Sequence, residues 1–133
     1  MPNVVYPRFK QALLSPGVNL ATATVSTILV DTATYTYSPA HEFLSSIPSG
    51  ARAGTPQPLT SKTVTNGVFD AAAVQFPTVP LGPALEAVVV YVNTGNDATS
   101  RLVAFIDTAE GLSVTPNGGN IDVDWDEDGV FEL

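Results

Sequence analysis

Glu86 to Asn93 reads EAVVVYVN and Ser100 to Thr108 reads SRLVAFIDT, with Gly95-Asn96-Asp97 between them. An unbroken apolar run rich in Val fits a strand covered on both faces, and the intervening turn residues join the two runs as a core hairpin. The rest of the chain reads the same way. Thr24 to Asp31 (TVSTILVD) is a strand, and Tyr35 and Tyr37 beyond it share a face. Asn66-Gly67 between Ser61 to Thr65 and Val68 to Asp70 is a hairpin turn, with Ala72 to Phe76 continuing as a further strand. Asn120 to Trp125 (NIDVDW) alternates, with Ile121, Val123 and Trp125 inward and Asp122 and Asp124 outward. Short strands with frequent Gly and Pro turns predict an all-β fold, an antiparallel β-sandwich or jelly roll of about seven to eight strands with an N-terminal arm and one short helix. Val88, Val90, Val103, Phe105, Val123 and Trp125 are expected in its core, as is Tyr91.

Composition agrees. Seventeen Val, four Ile and fifteen Thr make about a quarter of the 133 residues β-branched, the side chains that suit a pleated surface. The length predicts one domain, with residues 1–20 as the arm and 21–133 as the sandwich. Pro7 to Leu14 (PRFKQALL) reads as a short helix or part of that arm, with Pro at the first helical position. Ser38 to Ser46 reads as a helix of one or two turns, opened by Ser38 and Pro39 and closed before Pro48. Residues 48–60 (PSGARAGTPQPLT), with three prolines and two glycines, read as a loop.

The inventory for chemistry is sparse: one His, no Cys, two Lys and three Arg. Thiolate, disulfide and zinc-thiolate chemistry are excluded, and no Walker loop or dinucleotide fingerprint is present. His41 stands beside Glu42 in a short segment without a nucleophile elbow, so it reads as a capping or packing residue. Neither catalytic residues, an enzyme activity nor a cofactor is expected. Asp124-Trp125-Asp126-Glu127-Asp128-Gly129 matches the first half of a calcium loop, but the position of its bidentate Glu would fall past Leu133. The expectation is therefore a solvated acidic hairpin end without a tightly bound metal.

Charge divides along the chain. Residues 1–62 carry +2 and residues 63–133 carry −10, within a net −8 that disfavours nucleic acid. The N-terminus has neither the basic start nor the apolar run of a signal peptide, and no stretch is long enough to span a membrane. Arms and Pro/Gly-rich loops are where partner contacts concentrate, so Tyr6, Arg8, Phe9, Lys10 and Arg52 are expected at a partner interface. Removing residues 1–10 should then leave the fold intact.

Several segments carry a specific resemblance: Ile28 to Arg52, Leu59 to Phe76 (LTSKTVTNGVFDAAAVQF), Glu86 to Gly95, Ser100 to Gly119 (SRLVAFIDTAEGLSVTPNGG) and the closing DVDWDEDGVFEL. Together with the arm PRFKQALLSPGVNL, they resemble small virion-associated proteins of tailed bacteriophages. The resemblance implies a capsid decoration, or cement, protein that binds the outside of the lattice and stabilises it. Its partners would be the major capsid protein and other copies of itself in a homo-oligomer or symmetric array, with no nucleic acid or membrane. It would reside on the capsid exterior, and in the host cytoplasm before assembly. A tail-, neck- or fibre-associated protein contacting the host surface is the alternative, and a small carbohydrate-binding or carbohydrate-active protein the third reading.

Overall fold

A computed structural model describes residues 4–14, 20, 23–107, 109, 111–125 and 129–132. It is an all-β fold with antiparallel pairing throughout the named strands and one short α-helix among the described residues. The strands are β1 (Val4–Val5), β2 (Val25–Val30), β3 (Arg52–Pro58), β4 (Thr63–Thr65), β5 (Val68–Asp70), β6 (Val74–Phe76), β7 (Ala87–Val92), β8 (Leu102–Ile106), β9 (Ile121–Val123) and β10 (Phe131–Glu132). They form a five-stranded sheet in the order β1-β8-β7-β2-β3, a three-stranded sheet β10-β5-β4 and a two-stranded sheet β6-β9.

The hairpin expected from EAVVVYVN and SRLVAFIDT is β7–β8, at the heart of the larger sheet, with Val89 opposite Phe105. Val88, Val89 and Val90 are fully buried, as a central strand covered on both faces requires. Each such side chain contributes about 1.5–3 kcal/mol relative to exposure. Its neighbour β2 is buried along its whole length, so its polar residues find partners: Thr27 Oγ1 donates to the Gln57 carbonyl at 2.9 Å, and Ser26 Oγ accepts from Asn93 Nδ2 at 3.3 Å. All six core positions named from the sequence are buried, from Val88 to Trp125.

The Asn66-Gly67 turn joins β4 to β5 with positive φ at both residues (51° and 81°), the conformation a two-residue hairpin loop demands. Ile121, Val123 and Trp125 point inward and Asp122 and Asp124 outward, as the alternation predicts.

Three expectations need correction. Residues 48–60 are not a loop throughout, because Arg52–Pro58 forms β3. It lies at the sheet edge, where Pro removes no ladder hydrogen bond, and its register against β2 shifts between Thr27 and Leu29, beside Gly54 at φ +75°. Ser38 to Ser46 is not an α-helix either. The backbone there extends the sheet: Phe43 bridges Arg101, Leu102 N–H donates to the Glu42 carbonyl, and Leu44 N–H donates to the Ser100 carbonyl at 2.8 Å. Only Leu44–Ser46 closes a 3-10 turn.

The N-terminal segment is integral to the core. β1 pairs with β8, Tyr6 N–H continues that ladder to the Val103 carbonyl at 3.0 Å, and the helix α1 (Pro7–Leu14) follows at once. Phe9 and Ala12 are buried one turn apart, and the Phe9 ring meets Phe131 edge-on at 6.5 Å. Among the described residues no helix is long and apolar enough to cross a membrane.

Candidate functional site

The chain from β2 turns sharply at Asp31. Its buried carboxylate accepts hydrogen bonds from Ala33 N–H (2.9 Å) and the Thr34 hydroxyl (3.2 Å), while its carbonyl accepts from Thr34 and Tyr35 N–H. The turn lays Tyr35 and Tyr37 over β8, where both rings approach Phe105 (6.3 and 5.8 Å) and Tyr37 packs on Tyr6 at 5.0 Å. A groove of about 370 Å³ opens beside them, lined by Thr32, Thr36, Tyr37, Glu86, Phe105 and Asp107. Glu86 leads into β7 and Asp107 follows β8, so both lie at the same end of the hairpin, where both line the groove. Neither Lys nor Arg lines the groove. Its carboxylates accept hydrogen bonds and repel anions, while its threonine and tyrosine hydroxyls can donate as well as accept.

Beneath the groove, Tyr6 Oη and Tyr35 Oη lie 2.7 Å apart, and Tyr35 Oη lies 2.8 Å from His41 Nδ1. Burial, first of all, pushes the Tyr6 hydroxyl well above the usual tyrosine range and raises that of Tyr35, and burial pulls His41 below the usual histidine range. Neutral forms of all three are thus favoured, linked in a chain that holds the N-terminal segment against the loop after β2. The hydroxyl on His41 is a tyrosine directed into the core, and the Asp31 carboxylate is held by its own turn. His41 is therefore a packing residue with a defined partner, in keeping with the sequence reading.

The five residues expected at a partner interface separate into three kinds. Tyr6 and Phe9 are 0% and 1% exposed, which corrects their assignment to a surface. Sequence could place them beside Pro7 but could not show that β1 carries them into the sheet. Arg52 is also engaged internally. Its Nε and Nη2 donate to the Ile47 carbonyl (3.1 and 2.7 Å), Nη2 donates to the Leu44 carbonyl (2.8 Å), and Nη1 meets Asp97 Oδ2 at 2.8 Å. One guanidinium so clamps the 3-10 turn to the β7–β8 turn.

Arg8 and Lys10 remain exposed on α1, on either side of the buried Phe9, and have no side-chain partner among the described residues. The other cations are occupied: Lys62 Nζ donates to the Ala23 carbonyl, and Arg101 pairs with Glu42 at 2.9 Å while stacking over Phe43 at 5.2 Å.

At the acidic end, Asp122 Oδ1 accepts from Gln75 Nε2 at 2.8 Å and Trp125 Nε1 donates to the Ala72 carbonyl at 3.1 Å. Among the described residues no three His, Asp or Glu side chains converge as a metal site requires. Asp126, Glu127 and Asp128, the rest of the calcium-loop match, lie outside the described residues. No protein-family model matches this sequence, and a comparison with curated proteins finds none that matches it.

Proposed function

We propose that this chain is a structural component of a tailed-phage virion, a decoration protein on the outside of the major capsid lattice. The reading rests on the resemblance of the strand segments and arm to virion-associated proteins. The structural observation that supports it lies in α1. In a chain of net charge −8, the two cations without an internal partner among the described residues, Arg8 and Lys10, are both exposed on this helix, one on either side of the buried Phe9. Cations left unpaired beside a rigid core are suited to meet carboxylates of another protein. Many copies held by such modest contacts stabilise a shell through avidity rather than through one tight site.

Counting copies per purified particle tests the proposal. Hundreds of copies in a simple ratio to the capsid protein are expected, because a lattice-bound protein inherits the symmetry of the lattice. A handful to a dozen copies would instead indicate the tail or neck, and absence from washed particles would overturn a virion role.

A further inference from the structure

β4 is an edge strand of the β10-β5-β4 sheet. Val64 stands opposite Phe69 of β5, and the Phe69 carbonyl accepts from Val130 N–H at 2.8 Å on the side away from β4. Val64–Phe69 is therefore a non-hydrogen-bonded pair of the antiparallel ladder, flanked by the hydrogen-bonded pair Thr65–Val68 that closes the Asn66-Gly67 turn. It follows that Val64 N–H and C=O point away from β5, toward the free edge of the sheet. No bond to either group occurs outside the sheet among the described residues. Thr63, Val64 and Thr65 are exposed on both faces, with Val64 at 57%.

Edge strands are ordinarily protected by charges, by prolines or by a covering element. Among the described residues, β4 has none of these over Thr63–Thr65. Of the charges nearby, Lys62 is turned back onto the Ala23 carbonyl, and Asp70 stands one strand inward, opposite Thr63. Residues 61–67 (SKTVTNG) hold no carboxylate, so β4 itself brings no acidic side chain to a second copy, and Asp70 is set back on β5.

We infer that β4 pairs antiparallel with β4 of a second copy across a two-fold axis at Val64. The Thr-Val-Thr sequence is palindromic, and an isologous contact requires each residue to meet its symmetry mate. With Val64 opposite Val64, the two outward N–H groups donate to the two outward carbonyls, and each Thr63 faces Thr65 of the other copy. The β10-β5-β4 sheets then join into one six-stranded sheet. Three residues per strand make the pairing weak between free chains and effective where copies are already concentrated. The contact is a property of the chain in solution and does not depend on a virion location.

Because the chain has no Cys, single substitutions report the contact cleanly. In a hydrogen-bonded antiparallel pair the Cα atoms lie about 5.5 Å apart, within disulfide range. Val64→Cys should form disulfide dimers under mild oxidation at least about tenfold faster than Leu81→Cys, whose side chain is 79% exposed on another loop. Raising the salt concentration should speed it, since screening relieves repulsion between two chains of charge −8. Thr63→Cys and Thr65→Cys should cross-link when mixed and not separately, which tests the register even if the Val64 variant fails to fold. Equal rates at residues 64 and 81 with both variants folded, or cross-linking of the Thr variants as readily alone as mixed, would overturn the inference.

Discussion

The hydroxyls of Tyr6 and Tyr35, 29 residues apart in the chain, meet at 2.7 Å in the protein interior. Tyr6 links β1 to α1, and Tyr35 belongs to the loop after β2. Their contact, extended through Tyr35 to His41 at 2.8 Å, is a polar link within an otherwise apolar junction between the N-terminal segment and the sheet.

Tyr35→Phe removes the hydroxyl shared by both partners and strands that of Tyr6 in the core. A loss of about 1–3 kcal/mol is expected, against about 1 kcal/mol for Tyr6→Phe. The double variant should lose less than the sum, because the two residues share one interaction. Urea unfolding of the three variants checks this.

Stability should fall on both sides of a plateau. Tyr6 and Tyr35 are raised from the ordinary value of 10.0, so above that pH the unfolded chain ionises first and stability declines as pH rises. His41 is lowered from 6.5, so below that pH the unfolded chain takes up the proton first and stability declines as pH falls toward the folded value. Tyr6→Phe should flatten the alkaline limb and His41→Gln the acid limb of the urea midpoint plotted against pH.

Deleting residues 1–10 removes β1, Tyr6 and Phe9, and should lower the melting temperature sharply rather than leave the fold intact. Arg8→Glu with Lys10→Glu changes only exposed side chains, so the melting temperature should be nearly unchanged. Occupancy on stripped capsids should drop severalfold in that charge-reversed variant, and full occupancy would remove Arg8 and Lys10 from the proposed contact.

Arg52→Lys retains the charge but loses the fork that spans the Ile47 and Leu44 carbonyls and Asp97. It should cost about 1–3 kcal/mol in urea unfolding. Asp97→Asn should cost less than about 1 kcal/mol, because Asp97 is 56% exposed and water substitutes for the ion pair.

Periodicity was enough to identify the strands that carry their own signal. EAVVVYVN pointed to a strand covered on both faces, Asn66-Gly67 signalled a hairpin, and NIDVDW had one inward face, because these patterns depend on residues adjacent in sequence. The all-β class and the six named core positions followed from such local information alone. Tertiary structure decided whatever depended on distant partners. Arg52–Pro58 became a strand because β2 offered an open edge that tolerates proline, and Ser38 to Ser46 stayed extended because Arg101 bridged Phe43. Tyr6 and Phe9 went inward because β8 accepted β1, and Arg52 was drawn inward by the Leu44 and Ile47 carbonyls at a 3-10 turn. A charged or aromatic side chain near a proline has the same local pattern whether it faces solvent or core. Only the arrangement of strands far away in the chain determines which carbonyls and rings are within its reach.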